Sequence, residues 1–414
     1  MRLHLIPPSA VAADIATTTT RNASGSRDPT SARSQAAYNT CLHTHAEISA
    51  VVPETPSFTH EKPAWAPYAY PLWQPLIVQS QHLGSGNSNG VDDARIFALP
   101  WLLFDELMRC HANSTARADA AIGRQCLDDA VEMVVATRAG RDMAALFAAA
   151  AASSSSSSSP STSNDDQAPA HPGFFLRIAA LSPKDSPFGN RPVRSIADVV
   201  TQLATSLRVY GTLHRELAEA QATAQKDIDN DNGAAPSQLR IVVVLNRWNP
   251  RMMPAREFRV FVPPPAAARG GGQGEADRTG DGESAALRIA AASQYRWCEA
   301  FALPPRWDAQ RVAAFVCAGA QEILQQVAAH AARHVAASDS DADLLGQIRR
   351  WGCVVDVVVM VSEGDEDEWA NAQVQLVELN PFGALSGCGS ALFHWVRDAR
   401  VLYGLEGEGG LWLR

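Results

Sequence analysis

One aspartate constrains this chain more than any other residue. Asp356 lies inside Val354-Val355-Asp356-Val357-Val358-Val359-Met360, a run otherwise fit only for a strand buried on both faces. An unpaired carboxylate there is very costly, so the fold must bring it a partner. A second segment, Val374-Gln375-Leu376-Val377-Glu378-Leu379-Asn380-Pro381-Phe382-Gly383, offers one. Side chains alternate along a strand, so Glu378 and Asn380 share one face while Val377 and Leu379 take the other. Pro381 then ends the strand. Asp356, Glu378 and the amide oxygen of Asn380 on adjacent strands form a hard-oxygen set suited to magnesium carrying nucleotide phosphates. An ion-paired aspartate beside a strand-end asparagine accounts for the same residues without any metal.

A net charge of −9 argues against a general nucleic-acid binder, which needs a basic patch. The seven cysteines (41, 110, 126, 298, 317, 353 and 388) form no CxxC pair and sit mostly among apolar neighbours. That pattern predicts buried thiols in a reducing, cytoplasmic setting rather than disulfides or a zinc ribbon. No apolar run is read as approaching the ~20 residues of a membrane span, and no signal-peptide core is visible, so no membrane is expected as a partner. The opening residues are rich in Ser, Thr and Ala, with Arg2, Arg21, Arg27 and Arg33 against Asp14 and Asp28. A mitochondrial leader shares that bias, but Pro7, Pro8 and Pro29 interrupt any long amphipathic helix. A disordered tail over residues 1–58 is the expectation.

Residues 59–150 read as a folded preface packing on the main domain, with an aromatic cluster around Trp65, Tyr68, Tyr70 and Trp73. An unbroken serine run at 153–159 makes 151–172 a linker that cannot bury enough apolar surface to order itself. The main domain is expected over 173–414. Strands are predicted at 174–178, 241–245, 257–262, 287–293, 351–361 and 374–379, and helices at 195–218, 307–337 and 392–403. Polar insertions are expected near 225–238 and 263–284, and an acidic loop at 363–368. Strands and helices mixed with several antiparallel hairpins predict an α+β fold rather than a doubly wound parallel sheet.

Four further motifs carry chemistry. Arg177 on a strand and Lys184 in the following Ser182-Pro183-Lys184-Asp185 turn could hold phosphate oxygens. Asn246-Arg247-Trp248 leaves a strand into a turn whose backbone could meet a base. Glu257 and Arg259 share one face of a strand, which is unusual unless that face lines a cleft. Ser293-Gln294-Tyr295 ends another strand with polar and aromatic groups together. An ordinary solvated sheet face would explain any one of these alone. Other signals fail: Gly270-Gly271-Gly272 lacks the lysine of a phosphate loop, and no glutamate follows His330 to make a zinc helix with His334, which reads as a surface pair. Cys41, His43 and His45 fall in the tail and take no role.

Taken in order, these motifs resemble the cell division cycle protein 123 family over about residues 173–400. The resemblance runs through Arg177 to Ser182-Pro183-Lys184-Asp185, Asn246-Arg247-Trp248, Glu257-Phe258-Arg259-Val260-Phe261-Val262, Ala292-Ser293-Gln294, Asp356, Asn380-Pro381-Phe382-Gly383 and Trp395. It implies an ATP-grasp-like, two-lobed fold with mixed, largely antiparallel sheets and a nucleotide cleft between lobes. It further implies Asp356, Glu378 and Asn380 as magnesium ligands. ATP contacts would come from Arg177, Lys184, Arg247, Trp248, Glu257, Arg259, Ser293 and Gln294. The acid before Asn-Pro is usually aspartate in that family, and Glu378 here gives the Glu-x-Asn of ATP-grasp ligases generally. Asn246 stands where an arginine is usual. Family members are ATP-dependent assembly chaperones for eukaryotic translation initiation factor 2, binding its gamma subunit. A carboxylate–amine ligase and a diverged paralogue with another partner are the alternatives.

Overall fold

In the computed structural model the described residues are 2–7, 9–10, 65–82, 94–115, 120–155, 173–229, 239–264, 287–297, 299–304, 306–337, 344–361, 369, 371–386, 388–405 and 410–413. Their elements run β1 (Arg2–Leu5), α1 (Tyr70–His82), β2 (Ala94–Pro100), α2 (Leu103–Thr115), α3 (Ala120–Ala136), α4 (Arg138–Ser155) and β3 (Phe174–Ile178). Then come α5 (Ile196–Ala204), α6 (Leu207–Asp229), β4 (Arg240–Arg247), β5 (Glu257–Val262), β6 (Ala291–Gln294) and α7 (Ala309–Ala337). The last are α8 (Leu344–Trp351), β7 (Cys353–Met360), β8 (Gln373–Pro381), α9 (Ala399–Leu402) and β9 (Gly410–Leu413). This is an α+β fold with one mixed and one antiparallel sheet. The chain divides into two units, one of Met1–Asn87 with Arg251–Arg414 and one of Ser88–Pro250.

The first unit is built on a six-stranded sheet of order β1-β9-β6-β5-β7-β8. Strand β7 is buried along its whole length, as its valine run predicts. Helix α7 lies on this sheet and buries Val312, Val316, Ala320, Ile323, Leu324 and Val327, a stripe at helical spacing. Gly319 is required there, since a Cβ would come within 2.4 Å of Val374 Cγ2. Residues Ala309–Arg333 of α7 are long and apolar enough to cross a membrane, which corrects the expectation that no run approaches that length. Helix α1 covers the free edge of β8, where Leu376 N donates to Ser80 Oγ at 3.0 Å and Gln81 Nε2 donates to Leu376 O at 3.3 Å. His330 is half-buried rather than freely exposed: its Nε2 lies 2.8 Å from Leu72 O, and its ring packs on Trp73, tying α7 to α1.

The second unit carries the antiparallel sheet β2-β4-β3. One face of that sheet, through Phe97, Leu99, Leu176, Ile241, Val243 and Leu245, joins the buried sides of α2 to α6 in one core. Two helices replace the single one expected at 195–218, because two caps lie inside the segment. Ser195 Oγ accepts from Asp198 N at 3.1 Å while Asp198 Oδ2 accepts from Arg194 N at 2.8 Å. Eleven residues on from Ser195, Ser206 Oγ accepts from Val209 N and starts α6 afresh.

Several boundaries differ from expectation. The tail expected at 1–58 contributes β1, which pairs in parallel with β9. The preface expected at 59–150 is shared out, α1 to the first unit and β2 to α4 to the second, and the expected main domain is likewise divided at Pro250. Helix α4 runs to Ser155, into the expected linker, because the alanines before it are strong helix formers. Helix α6 likewise reaches Asp229 inside the expected insertion at 225–238. The strand expected at 287–293 forms only at Ala291–Gln294. The helix expected at 392–403 shrinks to Ala399–Leu402. Side chains hold the stretch before it in turns: Asp398 Oδ2 accepts from His394 N, and Trp395 Nε1 donates to Cys388 O. The serine run beyond Ser155, most of the 263–284 insertion and the acidic loop at 363–368 lie outside the described residues.

Candidate functional site

The register of the larger sheet lines up one row of residues across its strands. Ser293 pairs with Arg259, Arg259 with Asp356, and Asp356 with Glu378. Residues directly opposite one another project from the same face, so this row sets a hydroxyl, a guanidinium and two carboxylates side by side. Strand β8 slips by one residue between its pairs with Val357 and Asp356, leaving Val377 as the extra residue of a bulge. Without that slip Val377, not Glu378, would stand opposite Asp356. The bulge therefore delivers the second carboxylate to the row.

Asp356 is 0% exposed, and its charge is met by a fork. Arg259 Nε donates to Oδ1 at 2.8 Å and Nη2 donates to Oδ2 at 2.7 Å, a bidentate pair. Arg259 Nη1 donates to Gly389 O at 2.7 Å, and the guanidinium carbon lies 5.0 Å from the Tyr295 ring centre. Burial opposes the positive charge of Arg259, but the charge and hydrogen bonds of Asp356, with Cys388 and Tyr295 nearby, together hold the guanidinium pKa well above its ordinary value. The ion-paired reading of Asp356 is thus correct. Arg259, expected to contact phosphate, is committed first to Asp356 and to the loop after β8.

Asn380 supplies the feature that an ion pair alone does not require. Its Nδ2 donates to Asp356 Oδ2 at 3.0 Å and approaches Glu378 Oε1 at 3.5 Å. Two carboxylate oxygens therefore converge on one amide nitrogen. Turning the Asn380 amide about its last torsion would present its oxygen instead, completing three hard-oxygen donors. Those residues fit magnesium in donor chemistry. Among the described residues no group of three His, Cys, Asp or Glu gathers to hold a metal, so any such site depends on the asparagine.

The remaining predicted residues take different places. Glu257 lies two residues from Arg259 on the same face and is buried. Ser293 Oγ donates to Gln294 O and accepts from Leu392 N at 3.1 Å, pinning the loop after β8 to β6. Gln294 falls on the opposite face, where its Nε2 donates to Arg296 O and Glu299 O, a brace for the following turn. In the second unit Arg177 is buried on β3 opposite Val244, and Lys184 sits in the turn after β3. Arg247 is exposed at the end of β4; Trp248 N donates to Gly173 O, and the Trp248 ring faces Phe175. Sequence reasoning missed Gly389, whose carbonyl anchors Arg259. A backbone group leaves no side-chain signal; only the Gly/Ser content of 383–390 marked a loop there.

No family model matches the chain, and no curated protein matches it. Among solved structures it is similar to C-terminally truncated Cdc123 from Schizosaccharomyces pombe, at 15% identity, covering 84% of this chain and 96% of that one, with a TM-score of 0.39. It is similar also to Cdc123 from the same organism, at 14% identity, with the same coverage and a TM-score of 0.39. Likeness at this level leaves the functional assignment to the residues themselves.

Proposed function

We propose that this protein binds ATP with magnesium and acts in the cytoplasm as an assembly chaperone for eukaryotic translation initiation factor 2, through its gamma subunit. The observation that carries the nucleotide half is the convergence of Asp356 Oδ2 and Glu378 Oε1 on the Asn380 amide. Asp356, Glu378 and Asn380 would hold the magnesium, which when bound would neutralise and orient the phosphates. Arg259 fixes the orientation of Asp356 through two hydrogen bonds and ties it to the loop at Gly389. The ordered resemblance of 173–400 to the cell division cycle protein 123 family carries the chaperone half, together with the ATP-grasp-like reading of the fold and the phosphate and base roles of Arg177, Lys184, Arg247 and Trp248.

The Glu378-Leu379-Asn380 spacing favours one other reading, an ATP-grasp ligase that activates a carboxylate for attack by an amine. A chaperone that uses ATP as a structural ligand has little turnover, whereas a ligase must release ADP and phosphate when both substrates are present. Purified protein with ATP and magnesium should bind the nucleotide by calorimetry and release little phosphate across a panel of amino acids and short peptides. It should also form a complex with the gamma subunit on gel filtration. A burst of ADP with a small carboxylate, together with no gamma-subunit complex, assigns a ligase instead.

A further inference from the structure

Within the first unit, helix α7 and the start of β8 border an open cavity of about 470 Å³, a size that suits a small molecule. One stripe of α7 forms a wall: Phe315, Ala318, Glu322 and Gln326 recur at steps of three and four residues and so stack on one side of the helix. Ala372 and Val374 line the cavity from the β8 side. Val374 pairs with Val359, which stands three residues along β7 from Asp356, so it projects from the face of the sheet opposite the carboxylate row. This cavity is therefore separate from the site formed by Asp356, Glu378 and Asn380.

Packing fixes the walls. The contact of Gly319 with Val374 sets the distance between helix and strand, and the Phe315 ring is held edge-on by Trp307 and Trp369, with centroids 5.5 and 6.2 Å away. Ser80, also on the lining, has its hydroxyl committed: Oγ donates to Ile77 O and accepts from Leu376 N. Gln326 differs. Its Oε1 is closed off from solvent, yet it accepts no hydrogen bond among the described residues. A buried acceptor left without a donor costs stability, and native folds keep few of them. Glu322, one turn earlier on the same wall, adds an exposed carboxylate. Two acceptors beside an apolar wall call for a donor-rich head on an apolar body. An ammonium group brings three N–H donors and a charge to match Glu322, whereas a hydroxyl brings a single donor and no charge. An anion would be repelled by the carboxylate.

We propose that this cavity binds a small organic cation, a primary amine on an apolar body. The ammonium donates to the Glu322 carboxylate and, after a turn of the terminal amide, to Gln326 Oε1, while the body lies against Phe315 and Val374. The probe is phenethylamine hydrochloride, titrated into the full-length protein at pH 7 and followed by saturation-transfer NMR, with phenethyl alcohol as its uncharged counterpart. A ligand this small should saturate the wild type near about 1 mM, and the alcohol should bind roughly fivefold more weakly. Glu322→Gln should cost the amine roughly fivefold and the alcohol nothing. Gln326→Leu should cost the amine roughly tenfold, while the melting temperature of the unliganded protein stays level or rises, because an unpaired buried acceptor has gone. Ala318→Trp, at an exposed position of α7, should fill the cavity and abolish both. Should Gln326→Leu fail to fold, the exposed Glu322 and Ala318 variants carry the test. Equal binding of amine and alcohol, amine affinity unchanged in Glu322→Gln, binding that survives Ala318→Trp, or no saturation by the amine overturns the proposal.

Discussion

Replacing Asp356 by Asn keeps the side-chain shape and removes its charge. The guanidinium of Arg259, 8% exposed, would then face a neutral amide where it had a bidentate carboxylate. Breaking a buried ion pair from one side costs about 3–5 kcal/mol. The amide oxygen can still accept one of the two hydrogen bonds, which places Asp356→Asn near the lower end, at about 3 kcal/mol. Arg259→Met leaves a carboxylate at 0% exposure without its cation, and belongs near about 5 kcal/mol. For a folded body of 150–250 residues each kcal/mol moves Tm by about 2–4 °C, so the two losses are about 6–12 and 10–20 °C. Arg259→Met combined with Asp356→Asn removes both charges at once and should be more stable than Arg259→Met alone. Calorimetric melting of wild type and the three variants measures the cycle. Single variants within about 1 kcal/mol of wild type, or a double variant as costly as the two losses added, would refute the pair as the organiser of this face.

The other expectations are briefer. Glu378→Gln and Asn380→Ala should each weaken magnesium–ATP binding by at least about tenfold, the scale of one lost ligand or its orienting partner, and calorimetric affinities equal to wild type would remove them from the site. Shortening residues 153–172 should leave Tm within a few degrees, whereas deleting residues 2–6 should lower it clearly, because β1 and the Ile6 N to Leu413 O bond go with them. Burial raises the thiols of Cys110 and Cys353 from 9.0 to about 12. Below the lower value both folded and unfolded chains keep these protons; above it the unfolded chain loses them first, so stability should fall as pH climbs from 9.0 toward about 12. Urea titrations at pH 8 and 10 check the sign, and a thiol reagent at neutral pH should modify half-buried Cys317 before either buried residue.

The valine run and its aspartate were legible in the sequence because a buried strand tolerates a charge only with a partner. The pairing of Glu257 and Arg259 on one face followed from alternation alone, and the register places Arg259 opposite Asp356 as that argument needs. What stayed hidden was choice of partner. Arg259 and Asn380 were both assigned outward roles, yet each donates to Asp356, and no one-dimensional pattern says which strand lies beside which. The break between α5 and α6 was written in Thr205-Ser206, but hydroxyl residues inside an amphipathic run look like tolerated helix positions until their caps are seen. Strand β1 was unreadable for another reason: four residues carry almost no periodicity, and their partner lies at the far end of the chain.

That parallel pairing has a consequence for a chain growing on a ribosome. Arg2 meets Gly410, and β9 stands between β1 and β6, so the first strand made has no neighbour in the sheet until the last one arrives. At about 5–20 residues per second, the intervening stretch takes roughly 20–80 s to synthesise. From the synthesis of β6 until β9 follows it, β6 presents the bare edge that β9 will cover, and a bare edge invites pairing with other chains. Premature termination a few codons upstream of Gly410 would make that exposure permanent. Loss of this short segment, which holds none of Ser293, Arg259, Asp356 and Glu378, should then appear as insoluble protein in a pulse-labelled lysate while point variants at Asp356 remain soluble.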